Sequence, residues 1–447
     1  MTEPCVKIYA TEHNKDQQAS LNNDVILNEI THDAQAKTMH QVALNPQRTG
    51  AKKNLSRIMY LITIMLCFDS VLKVPIGPIF MQPGILIGLL TLLLISLSKF
   101  NSNKPSLIKN LPDKPTLLLV IYAATHIALA KNLDVFFAIF SYLLIYVLMC
   151  TMINYAYSYV NWRKIAKLAV ILLVATGAIQ YIFINFFNFQ LELRGLDSSY
   201  YVNKGNLGTR MRGFFLEPNW YGLALFSWLF LYYYKQQKKK LADYALTFLA
   251  IYCLYLSENR TIFILLVLSA FGIYAGPYIK AFRKWVPFII VAAATIIYFY
   301  FSASGSDLND RSAMARTYTA ANIINIWLSD SPILKIIGHG LSNWGFYSNS
   351  LEFSRSNFTF DQALTRRDNA EIYVYLFEMG LICFIIFAYD LITIGKKSKS
   401  LALPIFVACI YLSSLFYPIY GFIMYLIPLM VVRCEIFRGG QNANSSN

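Results

Sequence analysis

The residues best suited to chemistry form a block of charge close to an apolar run. The stretch RMRGFFLEPN, residues 210–219, places Arg210, Arg212 and Glu217 just ahead of the run LALFSWLFLYYY. A guanidinium binds phosphate oxygens through two parallel hydrogen bonds and stays charged in a partly dry site. Arg260 repeats the pattern in LSENRTIFILLVL, where it begins another apolar run. These arginines predict a site for a phosphate-bearing ligand.

Two carboxylates beside apolar runs each have two interpretations. Asp368 stands in RRDNAEIYVYLFEMG directly after Arg366 and Arg367. It either caps the helix that follows or handles protons in a site. Glu217 precedes Pro218, and it either stabilises a helix N-terminus through the helix dipole or acts as a site acid. Both alternatives stay open for both residues.

Other titratable groups lie near the same runs. Glu371 and Glu378 fall within an apolar run, where an acidic side chain is a functional candidate or neutralises a nearby arginine. His339 stands between two glycines, and we interpret it as a solvated loop histidine. The sequence has no metal-ligand cluster, Walker loop or GxSxG motif in the segments assigned below to the outside. We therefore expect no metal or other cofactor.

The composition predicts the fold class that must position these residues. Of the 447 residues, 56% are hydrophobic and 14% are charged, and the mean hydropathy is +0.45. Several runs of about 18 or more nearly uncharged residues each suit a membrane-spanning helix. We predict an all-α polytopic integral membrane protein with about twelve transmembrane helices, of which the last two are short enough to be one broken helix. The predicted spans are 57–73, 76–98, 115–130, 134–157, 167–189, 217–234, 242–257, 260–277, 285–303, 369–394, 401–416 and 418–432.

Charge orients these spans. Every connection after an even-numbered span is short and rich in lysine or arginine, which is the positive-inside pattern and predicts that both termini are cytoplasmic. Two long connections then face outward, at about 190–216 and about 304–368. The second is a large external loop between helices 9 and 10, with a short helix around 312–329. The expected domains are a polar, disordered cytoplasmic extension at 1–55, a transmembrane catalytic domain at 56–435 and a cytoplasmic tail at 436–447.

Charge and cysteine content exclude other classes. The net charge is +15, and in a membrane protein such a balance indicates cytoplasmic loops facing an anionic leaflet, so we expect no nucleic-acid partner. The seven cysteines include no CxxC pair and no paired spacing. Neither a disulfide framework nor a zinc site is therefore predicted.

Four blocks in chain order resemble the O-antigen ligase/polymerase superfamily, whose members transfer glycans carried on undecaprenyl pyrophosphate. The first block has the form R-x-x-G-x-F-x-x-P-N, and the second is an arginine at a helix start. The third block is an arginine followed by a proline and a G-x-G turn. The fourth block ends in E-x-G. Ligases of this superfamily carry a histidine where this chain has Asp368, which favours a Wzy-type polymerase. The matching residues are Arg210, Gly213, Phe215, Pro218, Asn219, Ser257, Arg260, Arg316, Pro332, Gly338, Gly340, Asp368, Asn369, Glu378 and Gly380.

The resemblance implies an inner-membrane enzyme of lipopolysaccharide or related polysaccharide biosynthesis, with its active site facing the periplasm. The reaction would be metal-independent glycosyl transfer that polymerises lipid-linked repeat units. Arg210 and Arg260 would stabilise the departing pyrophosphate, and Asp368 would accept a proton from the acceptor hydroxyl. Supporting contacts to substrate are expected from Arg212, Glu217, Asn219, Arg316, Arg366, Arg367 and Glu378.

Expected partners are the donor and acceptor on undecaprenyl pyrophosphate and the lipid bilayer, and a chain-length regulator protein is a candidate. Two alternatives remain: an O-antigen ligase that transfers glycan to lipid A core, and a flippase or transporter of the lipid-linked glycan.

Overall fold

A computed structural model describes most of the apolar part of the chain. The residues it describes are 46–68, 72, 74–76, 79–100, 110–187, 210–215, 217–235, 240–275, 283–303, 311–348, 371–415 and 423–439. Contacts divide the chain into Met1–Ser56 and Arg57–Asn447. Asp368, Arg366 and Arg367 lie outside the described residues, as do residues 190–209 of the predicted loop at 190–216 and the N-terminal 45 residues.

The described residues are almost entirely helical, which confirms the predicted all-α class. One two-stranded antiparallel sheet interrupts the helices, with β1 at Val74–Ile76 paired to β2 at Ile79–Met81. The first helices are α1 Pro46–Cys67, α2 Pro83–Phe100, α3 Lys114–Thr125, α4 Leu133–Ala156, α5 Trp162–Phe187, α6 Pro218–Tyr234, α7 Leu241–Leu256 and α8 Arg260–Ala275. The remaining helices are α9 Val286–Ala303, α10 Arg311–Ser329, α11 Pro332–Ile337, α12 Trp344–Ser348, α13 Glu371–Lys397, α14 Ala402–Ser413 and α15 Ile423–Gly439.

Three of these helices are long and apolar enough to cross a membrane on their own: α4, α5 and α13. Six further apolar helices among the described residues are shorter, with 10–17 residues. The predicted second span at 76–98 is displaced, because the hairpin occupies 74–81 and α2 begins only at Pro83, a residue that the first turn of a helix tolerates. The short helix predicted around 312–329 is present as α10.

Contacts between helices define two ends of the helix bundle. Helices α3 and α13 run antiparallel, since Asp113 at the start of α3 and Asp390 late in α13 both bind Arg433. Later in α3 and earlier in α13, the Tyr122 hydroxyl donates to the Met379 carbonyl at 2.8 Å. We call the end of the bundle with Arg433 the lysine end, because the lysine-rich connections lie there. We call the end with Tyr122 the arginine end, because Arg210 and Arg260 lie there, as shown below.

Contacts bring the lysine-rich connections to the lysine end. Lys235, after α6, pairs with Glu435 of α15 at 2.6 Å, two residues beyond Arg433. Asp243, at the start of α7, accepts from Tyr232 of α6 and from Lys167 of α5. The residues of this end are Asp113, Lys114, Lys167, Lys235, Lys240, Arg283, Lys284, Asp390, Lys396, Lys397, Lys399 and Arg433.

Candidate functional site

The charged block at 210–219 folds onto the start of α6 at the arginine end. Arg210 Nε and Nη2 both donate to the Ser257 carbonyl, at 2.9 and 2.6 Å. Ser257 follows the last residue of α7, so Arg210 closes the C-terminus of that helix, where a cation also interacts favourably with the helix dipole. The Glu258 carboxylate lies 3.5 Å from Arg210 Nε, but 68% of the glutamate side chain is exposed. The ion pair is therefore weak, and the carbonyl bonds hold the guanidinium.

A buried glutamine holds the backbone of this block. Gln180 of α5 accepts hydrogen bonds from the backbone N–H groups of Arg212 and Gly213, at 2.8 and 3.1 Å. Gly213 has φ +54°, and a side chain there would press on the Tyr221 ring. The glycine of the first block is thus required by a left-handed backbone and by close packing. The sequence analysis missed Gln180, whose only signal was a polar side chain inside the apolar run of α5.

The other residues of the first two blocks lie around this backbone. Asn219 accepts a hydrogen bond from the Asn259 side chain through its backbone carbonyl, at 3.4 Å. Glu217 occupies the N-cap position of α6, in extended backbone, and its side chain makes no capping bond. Arg212 is buried, and Arg260 is the exposed first residue of α8. Arg260 is consequently the guanidinium of this group that is open to a ligand.

The G-x-G turn of the third sequence block contacts the E-x-G motif of the fourth. The N–H groups of His339 and Gly340 donate to the carbonyls of Phe377 and Glu378, both at 2.9 Å. Helix α13 breaks at Gly380, which has φ +62° and ψ −164°, and Gly338 and Gly340 also have positive φ. Glu378 is buried, and its carboxylate accepts the backbone N–H of Trp344 at 3.1 Å. The predicted G-x-G turn and the E-x-G motif are therefore two sides of one backbone contact.

His339 is not the solvated loop histidine that we expected. Only 10% of its side chain is exposed, and its ring stacks on Phe377 with centroids 4.3 Å apart. The imidazole Nε2 lies 2.8 Å from a carboxylate oxygen of Asp330, the residue after α10. Arg316, in α10, has a described backbone only. The sequence analysis missed Asp330, because it precedes a Ser-Pro turn and has the appearance of a loop residue.

Both groups lie at the arginine end. Helix α8 runs antiparallel to α14, because Gly272, late in α8, packs on Ala402 at the start of α14. The last turn of α14 meets the start of α13, where the Ile372 N–H donates to the Ser414 carbonyl at 3.1 Å. The start of α8, with Arg260, thus lies at the same end of the bundle as the start of α13, which contacts His339. No hydrogen bond among the described residues joins the two groups directly.

The lysine end contains a charge network that the sequence analysis also missed. Arg433 donates to Asp113 at 2.6 and 3.0 Å, to Asp390 at 2.7 Å and to the Thr116 hydroxyl at 3.1 Å. Tyr411 donates to Asp390 at 2.7 Å. Burial favours a higher pKa for Asp113, but the adjacent Arg433 guanidinium and the hydrogen bonds from Thr116 hold that pKa below its usual range.

Within the described residues no group of three or more His, Cys, Asp or Glu side chains could hold a metal ion. The described cysteines are all buried and unpaired. Comparison with protein-family models, with curated proteins and with solved structures finds no match for this chain.

Proposed function

We propose that this protein polymerises undecaprenyl-pyrophosphate-linked oligosaccharide repeat units into O-antigen or a related surface polysaccharide. The observation that carries the proposal is the arrangement of Arg210, Arg212 and Arg260 at one end of the helix bundle, opposite the lysine-rich connections. By the positive-inside rule the lysine end faces the cytoplasm and the arginine end faces the periplasm of a bacterial inner membrane. Arginines are disfavoured on that outer side unless a ligand or a structural contact uses them.

The proposed reaction is glycosyl transfer at the outer face of the membrane. A hydroxyl of the acceptor repeat unit attacks the anomeric carbon of the donor glycan, and the bond from that carbon to the pyrophosphate oxygen breaks. The electron pair stays on pyrophosphate, where Arg260, which is exposed, stabilises the developing negative charge and Arg210 and Arg212 take supporting roles. The acceptor proton passes to a base, for which the sequence resemblance suggests Asp368.

Arg210 has a second role that the sequence did not suggest. Its guanidinium already binds the carbonyl of Ser257, the residue that follows α7. Arg210 therefore fixes the end of α7, from which residues 258–259 lead to Arg260. On this proposal Arg210 positions the site. Asn219 and Glu217 support the same backbone at the start of α6.

A flippase of the same lipid-linked glycan is the second candidate, and one observation favours it. The buried Asp113–Arg433–Asp390 network places charged groups inside the bundle, and charged groups at membrane depth often mark a transport path. However, this network lies at the lysine end, and both carboxylates bind the shared guanidinium. The ligase alternative has no comparable observation in its favour.

The glycan made by a strain lacking the chain tests the proposal. If the protein is a polymerase, the deletion strain carries single repeat units on its surface in place of a long ladder. Loss of all surface glycan with lipid-linked polymer accumulating outside would identify a ligase. Loss of surface glycan with single lipid-linked units held on the cytoplasmic side would identify a flippase, and an unchanged ladder would overturn all three functions.

A further inference from the structure

A carboxylate, an imidazole and a phenol form a linear set at the arginine end. Asp330 and His339 Nε2 are 2.8 Å apart, and the Tyr347 hydroxyl lies 3.4 Å from His339 Nδ1 on the other side of the ring. The three residues come from separate elements: the end of α10, the turn before α12, and α12 itself. A carboxylate that holds one imidazole nitrogen fixes the direction in which the other nitrogen points.

The contact with Asp330 decides which nitrogen has the lone pair. An ionised carboxylate only accepts hydrogen bonds, so Nε2 carries the hydrogen. In the neutral imidazole Nδ1 is then the acceptor, and it faces the Tyr347 hydroxyl. That contact is long for a hydrogen bond of a hydroxyl group, whose usual distance is about 2.7–2.8 Å. A better-placed hydroxyl group therefore competes easily for Nδ1.

The imidazole is held more rigidly than a loop histidine would be. Its ring stacks on Phe377 with an interplanar angle of 11°, and its backbone pairs with α13 through the Phe377 carbonyl. The Asn343 amide donates to the His339 carbonyl at 2.6 Å and to the Leu129 carbonyl at 2.8 Å. Such support is what a catalytic group needs, because misplacement by even 1 Å is costly for proton transfer.

Polar groups lie at both nitrogens of the imidazole, and the two sides differ in exposure. Besides Asp330 and Tyr347, the charged groups nearby are Lys131, whose ammonium lies 4.1 Å from the Tyr347 ring centroid, and Glu378, which is occupied by the Trp344 N–H. Lys131 is exposed, and Tyr347 is half-buried. The Tyr347 side of the ring is thus the side from which a ligand reaches His339.

We propose that His339 is the proton acceptor of the polymerisation reaction and that Asp330 is its positioning residue. The inference rests on the proposed function. An acceptor sugar hydroxyl replaces the Tyr347 hydroxyl on Nδ1. As its oxygen bonds to the anomeric carbon and the carbon–pyrophosphate bond breaks, its proton moves to Nδ1. The imidazolium, paired with Asp330, then releases the proton to water. Asp368 is left to cap α13 or to orient the acceptor.

The test uses purified full-length protein and the lipid-linked repeat units that accumulate in the deletion strain. Chain extension is followed at varied acceptor concentration for the wild type, His339→Gln, Asp330→Asn, Tyr347→Phe and a control, Ser331→Ala. Ser331 accepts the Leu334 N–H at the start of α11, so the control disturbs the residue beside Asp330 without touching the imidazole. Thermal unfolding of each variant is measured in parallel.

General-base catalysis contributes about 10²–10⁴-fold to a rate, so we expect His339→Gln to lower kcat by at least about 100-fold. Asp330→Asn should lower kcat with little change in KM for the acceptor, whereas a merely structural loss would follow the unfolding temperature. Tyr347→Phe and Ser331→Ala should keep kcat within a few-fold of the wild type.

Each of the other possible outcomes overturns a specific part of the proposal. A fully active His339→Gln overturns the role of His339 and leaves the polymerase function standing. An inactive Tyr347→Phe overturns direct transfer to Nδ1. If His339→Gln does not fold, the kcat of Asp330→Asn decides alone, and an unchanged value overturns the proposal. A wild type that does not extend chains overturns the function and this role together.

Discussion

Two arginines that have the same sequence context differ at the level of their contacts. Arg210 is committed to the Ser257 carbonyl, whereas Arg260 is exposed at the start of α8. A phosphate contact is therefore tested most cleanly at Arg260. Arg210 combines ligand binding with support of α7, and a loss of activity there has two explanations.

We expect Arg260→Lys to lower the rate of chain extension by about 100-fold at unchanged protein level and unfolding temperature. The substitution keeps the charge but loses the planar fork, and removing one preorganised donor to a developing oxyanion typically costs a factor of about 10²–10³. Arg163→Lys, near the start of α5 at the lysine end, is the matched control and should be silent. Near-normal long chains from Arg260→Lys would show that Arg260 only faces lipid headgroups.

The companion variant Arg210→Lys separates the two roles of that residue. A hydrogen bond to a charged group contributes about 1.5–3 kcal/mol, so the loss of the fork should lower the unfolding temperature. Arg283→Lys removes a bond of the same kind, to the Lys399 carbonyl at 2.9 Å, at the lysine end. If the two variants lose similar stability and only Arg210→Lys loses activity, Arg210 also acts on the ligand.

At the scale of elements, the break in α13 determines where the site lies. Gly380 adopts a left-handed backbone, and an added side chain would collide with the Ile336 carbonyl and the Gly338 N–H. Gly380→Ala should therefore destabilise the protein by about 1–3 kcal/mol from backbone strain alone. Gly272→Ala, inside α8, is the comparison: its added Cβ would meet Ile405 and Ala402 at 3.1–3.2 Å, and because its backbone is not strained it should cost less than Gly380→Ala. Thermal unfolding in detergent measures both, and equal unfolding temperatures would contradict the strained kink.

The sequence predicted the helices better than it predicted their interruptions. Apolar runs and turn residues suffice to place α10, since its bounds depend on local preferences. The kink at Gly380 depends on a partner segment, the G-x-G turn 40 residues earlier, and no local pattern contains that partner. The same holds for His339, because glycines on both sides indicate a solvated loop unless the Phe377 ring is known to lie beneath it.

At the scale of the whole molecule, one guanidinium joins three distant helices. Arg433 of α15 binds Asp113 at the start of α3 and Asp390 of α13, positions separated by up to 320 residues. Spacing along the chain could not reveal this network. Its only signal was the presence of Asp390 and Arg433 inside runs that are otherwise apolar.

We expect Arg433→Met to destabilise the protein by about 3–5 kcal/mol, because it leaves two buried carboxylates uncompensated. The triple variant Arg433→Met, Asp113→Asn, Asp390→Asn should recover much of that loss, since no buried charge remains. Size-exclusion profiles of heated samples report both effects. A triple variant as unstable as the single one would show that the network does more than neutralise charge, and would favour the flippase.

The same network has a consequence for how the chain is made. Helix α3 leaves the ribosome long before α15, so Asp113 meets its partner only when α15 has been synthesised. Until then Asp113 and Asp390 lack the guanidinium that binds both of them in the folded chain. Helix α15 is therefore the element that completes this network, and a chain interrupted before Arg433 is left with two carboxylates and no shared cation.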